Sequence, residues 1–228
     1  MNYLFFRDQI RDNPAFLSEL LVFNKTPLTL KLDVSDKALR DRILVDRALC
    51  AVLHKRGLAE SDTGAISAGY WSFTDDCQRL ALLAPENLRH VGMLLAAAIY
   101  ADDIASSVTK RDVLAAREFL GEELYGWALK RGRFELSDMA RSRLKAALPA
   151  DMALAERISL MSRLVLEMLR SSWPEALRAK TGQLFNSINL PELPDALREN
   201  MPASRKLWFI VKKLVLRETV AEWTHYFK

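Results

Sequence analysis

The sequence predicts an all-α protein, a compact multi-helix globular domain built around one central buried helix at about 85–107. Only eight glycines and eight prolines occur among 228 residues, and most stand where a helix would begin or end. Apolar residues recur at helical spacing over most of the chain, while alternation of apolar and polar residues is confined to Leu28–Leu32. Half of the residues are hydrophobic, so a chain of this length can bury a core without disulfides or metal.

Ten helices are predicted from the apolar periodicity and from residues typical of helix ends. Their first residues are predicted near 14, 35, 74, 85, 109, 122, 137, 151, 174 and 205. Ser137 and Ser204 are predicted N-caps, and Thr109 followed by Asp112 resembles a capping box. Gly121 is expected to end the helix that Thr109 begins. The segment 59–73 contains glycine, serine and threonine and predicts a loop.

The helix from Pro85 to about Ser107 is predicted to be buried on several sides. Its apolar residues follow more than one line along the helix, so no broad polar face remains. Asp102 interrupts this pattern near the C-terminal end, where negative charge is unfavourable. We therefore expect Asp102 to pair with a basic side chain, and Arg79 and Lys110 are the candidates that proximity in sequence suggests.

A connection rich in proline and asparagine, at about 184–203, is predicted to precede the C-terminal helix. Residues 1–228 are expected to form one helical domain, because no repeat or low-complexity tract divides the chain.

Several features favour a cytosolic protein. The longest apolar run, Val91–Ala101, has eleven residues, whereas a membrane span needs about 20. The N-terminal run ends at Arg7 and Asp8 before a signal peptide could form. Cys50 and Cys77 are therefore expected to be reduced, buried thiols.

The aspartate pairs Asp75–Asp76 and Asp102–Asp103 could suggest a helical isoprenoid synthase, in which clustered carboxylates hold magnesium. Neither pair has a third acid three residues further on, and Asp75 is better explained by helix N-terminal charge. The three histidines lack the spacing of a zinc site, and no phosphate-binding or nucleophile motif occurs. The sequence thus predicts no catalytic residue, no cofactor and no metal.

Basic residues are concentrated at 130–133, 141–145 and 212–217, although the chain as a whole carries a formal charge of only +4. They are expected to form solvated helix faces or a docking surface for an acidic protein segment or for anionic lipid headgroups. No helix-turn-helix spacing occurs, so nucleic-acid binding is not expected.

Three parts of the chain together resemble a known family. The matching stretches are Asp12–Leu17 (DNPAFL), Arg79–Leu83 (RLALL), Pro85–Leu88 (PENL), Gly92–Ala98 (GMLLAAA), Phe119–Tyr125 (FLGEELY), Ala128–Arg131 (ALKR), Leu207–Trp208, Lys212–Leu214, Trp223 and Tyr226–Lys228. In this order they resemble the K component of bacterial type III secretion systems, the SctK family. The resemblance covers roughly half of the chain, and 136–202 and 59–73 match nothing in it.

The resemblance implies a non-enzymatic adaptor at the cytosolic face of the bacterial inner membrane. Members of that family lie in the sorting platform of the injectisome. They connect the cytoplasmic domain of the membrane-ring protein (the D component) to the pod protein (the Q component). A generic helical protein-binding module, such as a chaperone or regulator, is the alternative.

The C-terminal segment is the predicted partner-binding surface, because aromatic and basic residues are concentrated there. Leu207, Val211 and Leu214 are expected to face the core, and packing beside them is the alternative to partner binding for the aromatic residues Trp223 and Phe227. The predicted partner-binding residues are Trp208, Lys212, Lys213, Arg217, Trp223, Tyr226 and Phe227.

Overall fold

The computed structural model describes residues 14–25, 30–31, 60–61, 70–71, 73, 75–182, 185, 188–198 and 207–212. The fold is all-α, as predicted. The α-helices are α1 (Pro14–Lys25), α2 (Pro85–Ile99), α3 (Ala101–Ser106), α4 (Lys110–Lys130), α5 (Asp138–Lys145), α6 (Leu154–Ser171), α7 (Glu175–Lys180) and α8 (Asp195–Arg198). Two 3₁₀ helices cover Asp76–Leu82 and Gly132–Phe134, and residues 207–212 are also helical.

A minimal antiparallel pair accompanies the helices. Strand β1 (Leu30–Lys31) pairs with β2 (Glu60–Ser61), with Leu30 opposite Ser61. Two residues per strand are too few to form a stable sheet, so the pair does not change the fold class. The helix predicted to begin near 35 lies outside the described residues.

Local capping chemistry is confirmed at three helix starts. The Thr109 hydroxyl accepts a hydrogen bond from the Asp112 amide at 3.1 Å, and Ser137 accepts one from the Ala140 amide at 3.4 Å. The Asp75 carboxylate accepts from the Cys77 amide at 2.9 Å, which confirms its predicted place at a helix N-terminus.

Gly121 divides α4 into two helices. Its φ of 76° and ψ of 163° lie outside the helical region, and helical residues resume after it and continue to Lys130. A positive φ is readily adopted by glycine, so the predicted end of one helix at Gly121 and the start of the next near 122 are confirmed as a kink within α4.

Two predicted boundaries in the second half of the chain are shifted. Helix α6 begins at Leu154, three residues later than predicted, and Ala153 at its N-cap supplies no side-chain bond. The α-helix predicted over 137–148 ends at Lys145, because its last turn tightens. The Ala147 amide bonds to the Leu144 carbonyl at 3.2 Å, and Leu148 bonds to Lys145 at 3.1 Å.

The predicted central helix consists of α2 and α3, with a break at Tyr100. Tyr100 has φ −98° and ψ 14°, but its amide bonds to Ala96 and its carbonyl accepts from Ile104, both at 2.9 Å. Every residue from Leu94 to Ala101 is almost fully buried, so the prediction of a strut packed on several sides is confirmed. Gly92 permits close packing here, since a Cβ at this position would lie 2.4 Å from the Ser162 carbonyl oxygen of α6.

The chain divides into two compact units. The first comprises Met1–Pro85, Trp173–Asn189 and His225–Lys228, and the second comprises Glu86–Ser172 and Leu190–Thr224. The single domain predicted for 1–228 stays a prediction.

Aromatic side chains form much of the described core of the first unit. Phe23 and Phe73 pack edge to face with ring centroids 5.6 Å apart, and Trp173 meets Phe185 at the same distance. The guanidinium of Arg79 lies 5.3 Å from the centroid of the buried Phe16 ring.

The connection predicted at about 184–203 contains a short helix, α8, which was not expected from the sequence. Pro194 precedes it, and its carbonyl accepts from the Leu197 amide at 2.9 Å. Leu193 and Leu197 are buried, so this part of the connection contributes to the core of the second unit.

Candidate functional site

The C-terminal helical turn at 207–212 has one buried face and one outward face. Leu207, Ile210 and Val211 are buried, which confirms the predicted inward orientation of Leu207 and Val211. Phe209 is 67% exposed, Trp208 is half-buried, and Lys212 is exposed. We call Trp208, Phe209 and Lys212 the C-terminal surface.

Phe209 was not among the predicted partner-binding residues. The signal that identifies it is the i, i+3, i+4 spacing of the buried residues, which places 208, 209 and 212 on the opposite side of the turn. Lys213, Arg217, Trp223, Tyr226 and Phe227 lie outside the described residues, and their partner-binding role stays a prediction.

Asp102 is paired with a basic side chain, as expected, but both predicted partners were wrong. Its carboxylate lies 3.0 Å from Arg141 of α5 and 3.9 Å from Arg133, instead of pairing with Arg79 or Lys110. Arg79 pairs with Asp76 at 3.4 Å within its own 3₁₀ helix. Proximity in sequence does not identify the partner of Asp102, because tertiary packing brings α5 to α3.

The basic stretch at 141–145 is largely structural. Arg141 is 6% exposed, also pairs with Asp138, and donates a hydrogen bond to the Arg133 carbonyl at 2.5 Å. Lys145 pairs with Asp103. These two cations are therefore neutralised within the fold and do not form the solvated helix face that the sequence suggested.

Tyr100 lies beneath two cations at the junction of α2 and α3. The Lys145 ammonium is 5.6 Å and the Arg157 guanidinium 5.4 Å from the centroid of its ring. The residue is fully buried, and its hydroxyl has no hydrogen-bond partner among the residues that the structure describes. Burial raises the pKa of Tyr100 to about 12, while nearby Arg157 lowers it and Asp103 raises it further.

Tyr100→Phe is expected to lessen the loss of stability at alkaline pH. Because the folded-state pKa of Tyr100 is raised to about 12, the unfolded chain loses this proton first as pH increases above about 10. The free energy of unfolding of the wild type should therefore fall through this interval, and the variant should lack this component of the fall. Urea unfolding of both proteins at about pH 8 and about pH 11 measures it. An identical pH dependence would contradict the expectation.

A shallow groove of about 460 Å³ runs between α4 and α6. Its lining residues are Phe119, Met152, Ala155, Glu156, Ser159, Leu160 and Arg163. The surface is mainly apolar with one acid and one base, and it includes neither Asp75 nor Asp102. The arrangement suits contact with an apolar side chain better than acid–base chemistry.

The aspartates that could have suggested a diphosphate site all have structural partners. Asp75 caps a 3₁₀ helix, and Asp76 pairs with Arg79. Asp102 and Asp103 pair with α5, as described above. In the part of the chain that the structure describes, no group of three or more His, Cys, Asp or Glu side chains could hold a metal ion.

Cys77 is a buried, reduced thiol, as predicted, whereas Cys50 lies outside the described residues. Of the three histidines, His90 is described, and it lies exposed on α2. Partial burial of its ring lowers the pKa of His90, against the effect of the Glu123 carboxylate.

Within the described ranges, no helix combines the length and the apolar character required to cross a bilayer. Comparison with known family models, curated proteins and solved structures finds no match for this chain. The family resemblance seen in the sequence therefore stays a prediction.

Proposed function

We propose that this chain is a non-enzymatic cytosolic adaptor of a bacterial type III secretion injectisome, located at the cytosolic face of the inner membrane. In this role it links the cytoplasmic domain of the membrane-ring protein (D component) to the pod protein (Q component) of the sorting platform. The identities of the two partners are those that the sequence resemblance to the SctK family implies. The proposal of protein binding rests on one observation, the exposure of the C-terminal surface.

The C-terminal surface has the properties of a docking site. Three buried residues on the opposite face of the turn, Leu207, Ile210 and Val211, fix its backbone. A docking residue on a fixed backbone loses little conformational freedom on binding, which favours affinity. Aromatic residues are also the types enriched in the energetically important parts of protein interfaces.

The buried strut formed by α2 and α3 supports the mechanical part of the proposal. An adaptor transmits position, so it must resist deformation between its docking surfaces. Tightly packed interiors have low compressibility, and the residues from Leu94 to Ala101 are almost entirely buried. The structural pairing of Asp102 and Asp103 supports a non-enzymatic role for these carboxylates.

Co-purification tests the proposal. The wild-type chain is expected to retain both the pod protein and the cytoplasmic domain of the ring protein. Phe209→Ser and Lys212→Glu/Lys213→Glu are each expected to reduce retention of one partner at least ten-fold and to leave the other unchanged. Leu114→Ser and Lys110→Glu/Arg111→Glu are matched controls, because they alter exposed residues of α4.

The outcomes separate the parts of the proposal. Retention of neither partner by the wild type would exclude the adaptor role and leave the generic helical binding module. Retention of both partners by the variants at wild-type levels would mean that a different surface binds them.

A further inference from the structure

A second exposed surface lies where α4 is joined to α5. Phe134 is 76% exposed and Met139 is 66% exposed. Lys130, Arg133 and Arg143 are also exposed and lie within nine residues of Phe134 in the sequence. We call these five residues the α4–α5 tip. Phe134 and Met139 are five residues apart, so the chain keeps their Cα atoms within about 17 Å of each other.

The backbone of the tip is held firmly on both sides of Phe134. Gly132 is buried, and a Cβ there would lie 3.2 Å from the Trp127 ring and 3.4 Å from the Ala101 side chain. Leu136 is buried two residues after Phe134. The exposed aromatic ring therefore projects from an anchored turn.

The segment that contains the tip has a net positive charge. Residues 130–145 contain six Lys or Arg and two acids, a net charge of +4. Asp102 and Asp103 of α3 neutralise Arg141 and Lys145, which leaves +2. The Arg133 guanidinium lies 5.4 Å from the centroid of the Phe134 ring, so cationic and apolar groups share one surface.

We propose that the α4–α5 tip binds the surface of an anionic lipid bilayer. Phe134 and Met139 enter the boundary between headgroups and acyl chains, while Lys130, Arg133 and Arg143 lie among the anionic headgroups. Interfacial binding strengthens with buried apolar area and with basic residues near the surface. The bilayer interface accommodates apolar side chains together with basic residues, which matches the position of the Arg133 guanidinium beside the Phe134 ring.

This inference goes beyond the proposed function, in which the membrane is approached only through protein partners. Direct lipid contact would orient the adaptor against the membrane before the ring protein is engaged. The two proposals use different residues and are tested separately.

Vesicle flotation of the full chain tests the inference. We expect the chain to float with vesicles of phosphatidylcholine and phosphatidylglycerol (about 7:3), and at least ten-fold less with phosphatidylcholine alone. High salt is expected to weaken binding, because it screens exposed charges. Phe134→Ser/Met139→Ser and Lys130→Glu/Arg143→Glu are each expected to reduce the floating fraction at least ten-fold.

The control variants are Leu114→Ser and Lys110→Glu/Arg111→Glu, and both are expected to float like the wild type. Thermal unfolding followed by circular dichroism confirms that all variants are folded. Failure of the wild type to float, equal flotation with both lipid compositions, or wild-type flotation of the tip variants would overturn the inference.

Other occupants of the tip would give distinct results, and each would overturn the inference. Without flotation, Phe134-dependent retention of the pod protein or ring domain would assign the tip to a protein partner. A dimer seen by sedimentation velocity and lost in Phe134→Ser/Met139→Ser, again without flotation, would assign it to a contact between copies.

Discussion

Replacing Gly92 by alanine is expected to lower the free energy of unfolding by about 2 kcal/mol or more. The added Cβ would lie 2.4 Å from the Ser162 carbonyl oxygen and 3.1 Å from the Leu166 side chain. A change of side-chain rotamer cannot relieve the shorter contact, because the Ser162 oxygen belongs to the backbone of α6. Helices α2 and α6 must therefore separate, and this loss of packing outweighs the higher helix propensity of alanine, which is about 1 kcal/mol.

Gly126→Ala is the matched control, since Gly126 also lies within a helix, and a Cβ there would meet nothing within 4 Å apart from its chain neighbours and the backbone of its own helix. This substitution is expected to stabilise the protein by about 0.5–1 kcal/mol. Urea unfolding of both variants gives the comparison. If Gly92→Ala were as stable as Gly126→Ala, α2 and α6 could not be packed as closely as the structure indicates.

The parts of the fold that depend on neighbouring residues could be predicted from the sequence. Thr109, Ser137 and Asp75 cap helices because their side chains reach amides two or three residues further on. The burial of α2 and α3 was predicted for the same reason, since apolar residues on every side of one helix require neighbours on every side.

The features that depend on tertiary packing could not be predicted. Arg141 is 39 residues from Asp102 in the sequence, and nothing in either local pattern indicates that α5 lies against α3. The exposure of an individual side chain also depends on tertiary packing and could not be predicted. Phe134 lies two residues after Gly132 and two residues before Leu136. Only the structure shows that Gly132 and Leu136 are buried while Phe134 is exposed. The position of Phe209, in contrast, follows from the helical spacing of its buried neighbours.

Arg141→Met is expected to reduce the free energy of unfolding by about 2 kcal/mol. The substitution removes the ion pairs with Asp102 and Asp138 and the hydrogen bond to the Arg133 carbonyl. Loss of one partner from a fully buried ion pair costs about 3–5 kcal/mol. Here the loss should be smaller, because the side chains of Asp102 and Asp138 are 44% and 92% exposed and regain hydration.

Arg143→Met separates this effect from a general effect of removing positive charge from α5. Arg143 is exposed, so its replacement is expected to change stability by no more than about 0.5 kcal/mol.

A double-mutant cycle of Arg141→Met with Asp102→Asn then measures the coupling between the two side chains, which is expected to exceed about 0.5 kcal/mol because they are in contact. If the changes in the free energy of unfolding of the two substitutions are additive, the contact between Asp102 and Arg141 does not stabilise the fold. The loss of about 2 kcal/mol in Arg141→Met would then come from the lost contacts with Asp138 and with the Arg133 carbonyl. The hydrogen bond to that carbonyl fixes the turn from which Phe134 projects.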